Sequence, residues 1–441
     1  MPPSWLDELS DWLRIPSVSA DPARAGDVRI AGEWLVDRIR DAGGSAELSD
    51  WNGQPLALGD LPASSEPERR PTVLLYGHFD VQPPAPLDLW ESDPFAPEVR
   101  GEWLYARGAA DDKGQLYLLL RAAAELAAEG ALPVNVRFAC DGEEESGGHS
   151  IVEFLDADER GADACVIFDS GMEGRGVPSF NVATRGLVAY AVSVTAGARD
   201  LHSGMYGNAA QNAVHALTQT LAGVLPRDGR LPEPLRTGVV EPTDEERAAW
   251  AALPSGRERL EEAGALPYDA RAADEFYDRT WAEPSLDVVG IIGGKPGLRN
   301  TTISAHAEAR LTIRLAPGQD PDTVGAAAER LLREATPEGV ELTFEREGSS
   351  APGRVDPDSP VVQLGLDAFE RALGTRPLLV RSGGTLPIMP ALAEKGIPTV
   401  LTGFALPESN VHSPNERILV EYLELGLSAA RELLVSFEGL R

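Results

Sequence analysis

Cysteine is almost absent: the 441 residues hold two, Cys140 and Cys165, both inside apolar runs. A disulfide framework is excluded, and two buried thiols in a reducing cytoplasm are expected. Long apolar runs are lacking as well, none approaching the ~18 residues of a membrane span. The start, Met1-Pro2-Pro3-Ser4-Trp5-Leu6-Asp7-Glu8, has no basic segment followed by an apolar one, so no secretory signal is expected. Positive charge is scarce, with 39 Lys and Arg against 70 Asp and Glu and a net charge of -31. Such a surface repels nucleic acid and anionic lipid, and neither nucleic acid nor a membrane is expected as a partner. Parts of several hydrolytic mechanisms are missing too. There is no Gly-x-Ser-x-Gly elbow, no Cys with a plausible base and no His-Glu-x-x-His pair, which removes the common serine, cysteine and single-zinc schemes.

What the chain does have is a globular composition, 43% hydrophobic over a length too great for one core, so two domains are expected. Helical spacing covers 4–14 (Ser4 as N-cap, Pro16 as stop), 27–41 and 114–129, with a short helix near 149–156. Strands are expected at 72–76, 134–140 and 163–168. Strands alternating with helices give an α/β fold, a mostly parallel sheet covered by helices on both faces. After Gly186 the texture changes. Leu187–Thr195 alternates like a half-exposed strand, a helix near 208–223 follows, and 226–280 reads as surface helices and loops. From 302 to 315 the period is two, with Arg310 and Arg314 on the polar side, as in an antiparallel strand with one open face. A helix near 358–373 and a strand at 398–404 return to the first texture. A smaller α+β domain at 186–352 is therefore expected as an insertion between 1–185 and 353–441. Gly293-Gly294-Lys295-Pro296-Gly297 has the wrong spacing for a phosphate loop and reads as a turn.

His78 follows the strand at 72–76, and Asp80 lies two residues on, well spaced to fix an imidazole tautomer. Glu143-Glu144-Glu145 follow the strand at 134–140, Asp169 follows the one at 163–168, and His412 lies in the loop after the one at 398–404. Alone, each has an ordinary structural role. Together they leave four strands at one sheet edge, where open α/β sheets bind ligands, and Asp111 joins them from a helix start. Two imidazoles and several carboxylates suit zinc, manganese or cobalt. Two such ions sharing a carboxylate would lie about 3.5–4 Å apart and activate a water, with one further carboxylate as base.

The segments Gly77–Pro83, Arg107–Gly114, Glu143–Gly147, Asp200–Gly204, Trp281–Leu286 and Val411–Glu416 resemble the carnosinase-like dipeptidases. These belong to the dinuclear-metal superfamily of aminoacylases and carboxypeptidases. The resemblance implies two divalent ions per subunit, zinc in the first instance and manganese or cobalt as alternatives. His78 and Asp169 would hold one, Glu145 and His412 the other, and Asp111 would bridge them, with a non-proline cis peptide at Asp111-Asp112. Glu144, placed by its distance from Ser146-Gly147, would be the general base and acid, and Asp80 would orient His78. The inserted domain would serve as lid and dimerisation domain of a homodimer, with His202 reaching the partner's active site. Thr301, Arg314, Gly384 and Thr385 would contact the substrate, a dipeptide or small amide, with Arg314 on its carboxylate. An N-acyl-amino-acid deacylase, or a non-catalytic peptide- or metal-binding relative, are the alternative readings.

Overall fold

Val73, Leu74, Leu75 and Tyr76 are all buried. Successive strand residues point to opposite faces, so the strand Thr72–Tyr76 is covered on both sides, as its unbroken apolar run predicts. The computed structural model describes residues 5–294, 297 and 300–440. The chain divides into one unit of Met1–Val182, Val355–Val380 and Pro390–Arg441 and a second of Ala183–Arg354 and Arg381–Met389.

In the first unit a six-stranded sheet runs in the order Ser45–Trp51, Gln54–Leu61, Asn135–Asp141, Thr72–Tyr76, Ala164–Phe168, Thr399–Thr402. Thr72–Tyr76 is parallel to both neighbours, and Thr399–Thr402 is parallel to Ala164–Phe168. The other end is an antiparallel hairpin that the sequence reading left out. Its turn is Asn52-Gly53, both with positive φ (51° and 84°), a dipeptide that favours tight hairpins. Helices Leu6–Leu13, Ala25–Asp41, Lys113–Ala128, His149–Ala157, Pro360–Leu373 and Val420–Ser436 belong to this unit. The proposed cap Ser4 lies outside the described residues. Trp12 stacks on Trp34 at 4.7 Å and donates to Ala31 O, fixing the first two helices together. Among the described residues no helix is long and apolar enough to cross a membrane.

In the second unit Ser285–Gly293, His306–Leu315, Gly186–Thr195 and Glu341–Ser350 form an antiparallel sheet in that order. Ala307, Ala309, Leu311, Ile313 and Leu315 bury one face, as their period of two requires, against a core that includes Leu217 and Leu332. Three expectations need correction. The strand read over 302–315 is broken into Thr302–Ile303 and His306–Leu315, because Ser304 Oγ donates to His306 O and Ala305 N to Asp200. The helix near 208–223 runs only over Ala213–Leu221, because Asn212 accepts from the amides of Val214 and His215 and caps it. The 226–280 stretch is not all surface, since Leu231, Leu235 and Trp250 are buried. Lys295 and Pro296 of the expected turn lie outside the described residues.

Candidate metal centre

Gly77 ends the Thr72–Tyr76 strand, and a Cβ there would stand 2.5 Å from Asp112 Oδ2, so only glycine allows the approach. His78, fully buried, follows it, and the ladder continues one step as Phe79 N donates to Asp141 O and Asp141 N to Gly77 O. The Nδ1 of His78 lies 3.1 Å from Asp80 O and 3.4 Å from Asp80 Oδ1, leaving Nε2 facing outward from the sheet edge. That nitrogen is 3.0 Å from Asp111 Oδ1 and 3.8 Å from Asp169 Oδ1. Across Asp111, His412 Nε2 is 2.9 Å from Oδ2 and 3.2 Å from Glu145 Oε2. The structure thus brings together two groups, His78–Asp111–Asp169 and Asp111–Glu145–His412, each with ligand atoms within 4.8 Å. Asp111 belongs to both.

Several of these donors have a visible support. Asp80 accepts from the amides of Glu144 and Glu145, so one carboxylate ties the glutamate turn to the His78 loop. Glu143 turns away; its carboxylate accepts from Ser150 N at the start of the His149–Ala157 helix. Gln82 Nε2 donates to Glu145 Oε2 at 2.7 Å. The His412 loop is curled by three left-handed residues, Asn410, His412 and Asn415. The Asp111-Asp112 peptide is cis.

Two supports escaped the sequence reading. Glu416, fully buried, accepts from the amides of Gly108, Ala110 and Asp111 and from Arg107 Nη1. Gln115 donates to Ala110 O and Ser170 O and accepts from Phe404 N, fastening the Asp111 loop, the residue after Asp169 and the chain leading to His412. Nothing local marks Gln115. Glu416 closes the Val411–Glu416 segment, but its work is visible only in three dimensions.

The electrostatics favour a cation. Burial opposes charge on His78, yet hydrogen bonds to Asp111, Asp169 and Asp80 hold its imidazolium well above the ordinary range. Hydrogen bonds to Asp111 and Glu145 push His412 up to about 10. Burial lifts Asp169 to about 6 and Glu144 well above the carboxylate range, with neighbouring carboxylates adding to both. Burial works against ionised Asp111 too, but hydrogen bonds from His412 and His78 outweigh it. Protons on the two imidazoles, and on the carboxylates whose affinity is raised, offset part of this carboxylate density. Divalent cations fit the same need, and the N and O donors suit borderline ions.

The remaining sequence candidates lie in the second unit. His202 and Thr302 are paired across a short antiparallel bridge, and Ser203 N donates to Thr301 O, so His202 and Thr301 are neighbours on an exposed edge. His202 Nδ1 accepts from Gly204 N, which leaves the ring proton on Nε2. Arg314 Nη1 donates to Thr385 Oγ1 at 2.8 Å, with Gly384 adjacent.

The profile of peptidase family M20/M25/M40 matches residues 74–436. A cysteinylglycine-S-conjugate dipeptidase of Corynebacterium striatum is 29% identical over 457 aligned positions, covering 98% of this chain and 95% of the relative. The human Beta-Ala-His dipeptidase is 28% identical, covering 94% of this chain and 82% of the relative. Among solved structures, an M20 family metallo-carboxypeptidase from Sulfolobus solfataricus superposes with a TM-score of 0.88 at 26% identity, covering 99% of each chain. With the profile spanning both metal-donor groups and most of the chain, this protein belongs to peptidase family M20/M25/M40.

Proposed function

We propose that the chain is a dipeptidase whose centre holds two divalent ions, one between His78 and Asp169, the other between Glu145 and His412, with Asp111 shared. The observation that carries it is the division of Asp111: one oxygen faces each donor group. Relatives named as dipeptidases support a peptide over an acyl amide as substrate. Zinc is the first choice of ion, with manganese or cobalt as alternatives. When bound, the ions would polarise the scissile carbonyl and make a water acidic enough to lose a proton near neutral pH.

The chain's own groups do the rest. Glu144 takes a proton from the attacking water and delivers it to the departing amine nitrogen as the C–N bond breaks. Its burial, which raises its proton affinity, suits both halves of that task. Asp80 keeps His78 oriented and holds the backbone of Glu144. In this reading the first unit is the catalytic domain and the second a lid and dimerisation domain. His202 of a second copy donates from Nε2 to the carbonyl oxygen, and Thr301, Gly384 and Thr385 line the substrate. Arg314 pairs with the substrate's carboxylate, for which a guanidinium is well shaped. A homodimer is supported by the apolar edge strand Ser285–Gly293, where Val289, Ile291 and Ile292 are exposed at 62%, 57% and 73%. Such an edge can pair with itself across a two-fold axis. Two buried free cysteines support a cytoplasmic location.

Glu144→Gln tests the assignment. Turnover of a dipeptide should fall by about 100-fold or more, while metal content stays at the wild-type level. Loss of metal in this variant would make Glu144 a ligand instead.

A further inference from the structure

Lys113 follows the Asp111-Asp112 pair at the start of the helix Lys113–Ala128 and is fully buried. Lysine is almost never buried completely unless it is paired, yet among the described residues this one forms no ion pair. Its Nζ donates instead to Ile15 O at 2.8 Å and Trp12 O at 3.3 Å, with the Trp12 ring centroid 5.9 Å away. Those carbonyls lie at and just beyond the C-terminal end of the helix Leu6–Leu13, where the helix dipole favours a cation.

Ser17, two residues past Ile15, is fully buried as well. Its Oγ donates to Phe79 O at 2.6 Å and its carbonyl accepts from Val81 N at 2.9 Å. Ser17 therefore brackets Asp80, which lies against His78 Nδ1 and accepts from the amides of Glu144 and Glu145. The pieces meet closely at Gly108, where φ is +86°. A Cβ there would stand 2.8 Å from Val81 Cγ1 and 3.6 Å from both Leu13 Cδ2 and Lys113 Cδ.

Residues 12–17 thus reach the Asp80 loop through Ser17 and the Asp111 loop through Lys113. They do so from a stretch of chain that precedes the region matched by the family profile, 74–436. An apolar side chain beside Leu13 and Val81 would fill space; an ammonium adds donors that fix two backbone carbonyls in place.

We infer that Lys113 and Ser17 are positioning residues of the metal centre: through the Trp12–Ser17 segment they fix the spacing between the His78–Asp80 loop and Asp111. This rests on the two-ion reading above and goes beyond it, because it gives the amino-terminal segment a part in catalysis. A misplacement of about 1 Å at a reacting centre can cost about 100-fold in rate.

The test uses Lys113→Met, which keeps a long side chain without its donors, and Ser17→Ala, a milder change that removes one hydroxyl. Both are loaded with cobalt(II), whose visible absorption reports ligand number and geometry, and assayed on a dipeptide well below their melting temperatures. Each variant should hold metal about tenfold or more weakly, with an altered cobalt spectrum, and lose about tenfold or more in kcat with KM nearly unchanged. Ser17→Thr, which retains the hydroxyl, should stay nearer the wild type than Ser17→Ala. Lower thermal stability with wild-type metal affinity, cobalt spectrum and kcat would mark a purely structural contact and overturn the inference, as would losses confined to KM. If Lys113→Met does not fold, Ser17→Ala decides by the same readouts. A wild type that binds two cobalt ions but cleaves no dipeptide refutes the dipeptidase reading alone, and the spectra and affinities then decide the positioning role. A wild type that takes up no metal overturns both.

Discussion

Asp111 Oδ2 stands 2.9 Å from His412 Nε2, although three hundred residues separate the two, while Oδ1 of the same carboxylate lies 3.0 Å from His78 Nε2. One aspartate thus faces two imidazoles that arrive from different strands. In the proposed centre this makes Asp111 the group whose loss affects both ions. Asp111→Asn removes one anionic oxygen and half the bridge. Metal analysis after dialysis should find both ions weakened, whereas Asp169→Asn should weaken one. Two intact ions in Asp111→Asn would show that the residue does not bridge.

Glu416 gathers four donors, from Arg107 and the amides of Gly108, Ala110 and Asp111. Glu416→Gln would leave the buried Arg107 without its counter-ion. Breaking a buried pair from one side costs about 3–5 kcal/mol. Denaturant unfolding should show a loss of that order, with weakened metal binding because the Asp111 loop loses its cradle. A loss below about 1 kcal/mol would place the stabilisation of that loop elsewhere.

Arg137 and Asp158 form a two-armed pair, both arms 2.7 Å, with side chains 5% and 8% exposed. Burial raises the Asp158 carboxyl, but the hydrogen bonds of Arg137 outweigh it and hold it below the ordinary range. A carboxylate depressed in the folded state adds stability that is present above its unfolded pKa of about 4 and lost as pH falls through the lower folded value. Asp158→Asn should therefore destabilise the protein at pH 7 and flatten the acid limb of its stability curve. Denaturant unfolding from pH 7 down to about 3 checks this; parallel curves for the two proteins would contradict it.

Ile292 is 73% exposed on the edge strand Ser285–Gly293. A lysine on such an edge discourages strand pairing. In the proposed homodimer, Ile292→Lys should shift sedimentation from dimer toward monomer and leave the melting of the monomer's sheet core in place. A dimer unaffected by this change would have its interface elsewhere.

Part of the candidate site was legible in the sequence because some of its side chains come after strands that their apolar runs identify: Asp169 directly, His78 after one glycine, and His412 in the loop beyond. The glutamate triplet was harder, since three like residues in a row carry no pattern. Only the turn of Glu143 toward Ser150 separates their orientations. Glu416 and Gln115 were illegible because most of their partners are distant in sequence, 308 residues away in the bond of Glu416 to Gly108 N and 289 in that of Gln115 to Phe404 N. The hairpin at Asn52-Gly53 had a usable signal in that dipeptide, whereas the break at Ser304-Ala305 depends on a bond donated by Ala305 N to Asp200, about a hundred positions earlier, which local periodicity does not register.

The most direct measurement is release of free amino acids by the purified, metal-loaded protein from a simple dipeptide and from the matching N-acetyl amino acid, with and without a chelator. Release from the dipeptide alone, abolished by chelation and restored by adding a divalent ion, is the expected result. Release mainly from the acetylated compound, or release that survives metal removal, would contradict a dinuclear dipeptidase.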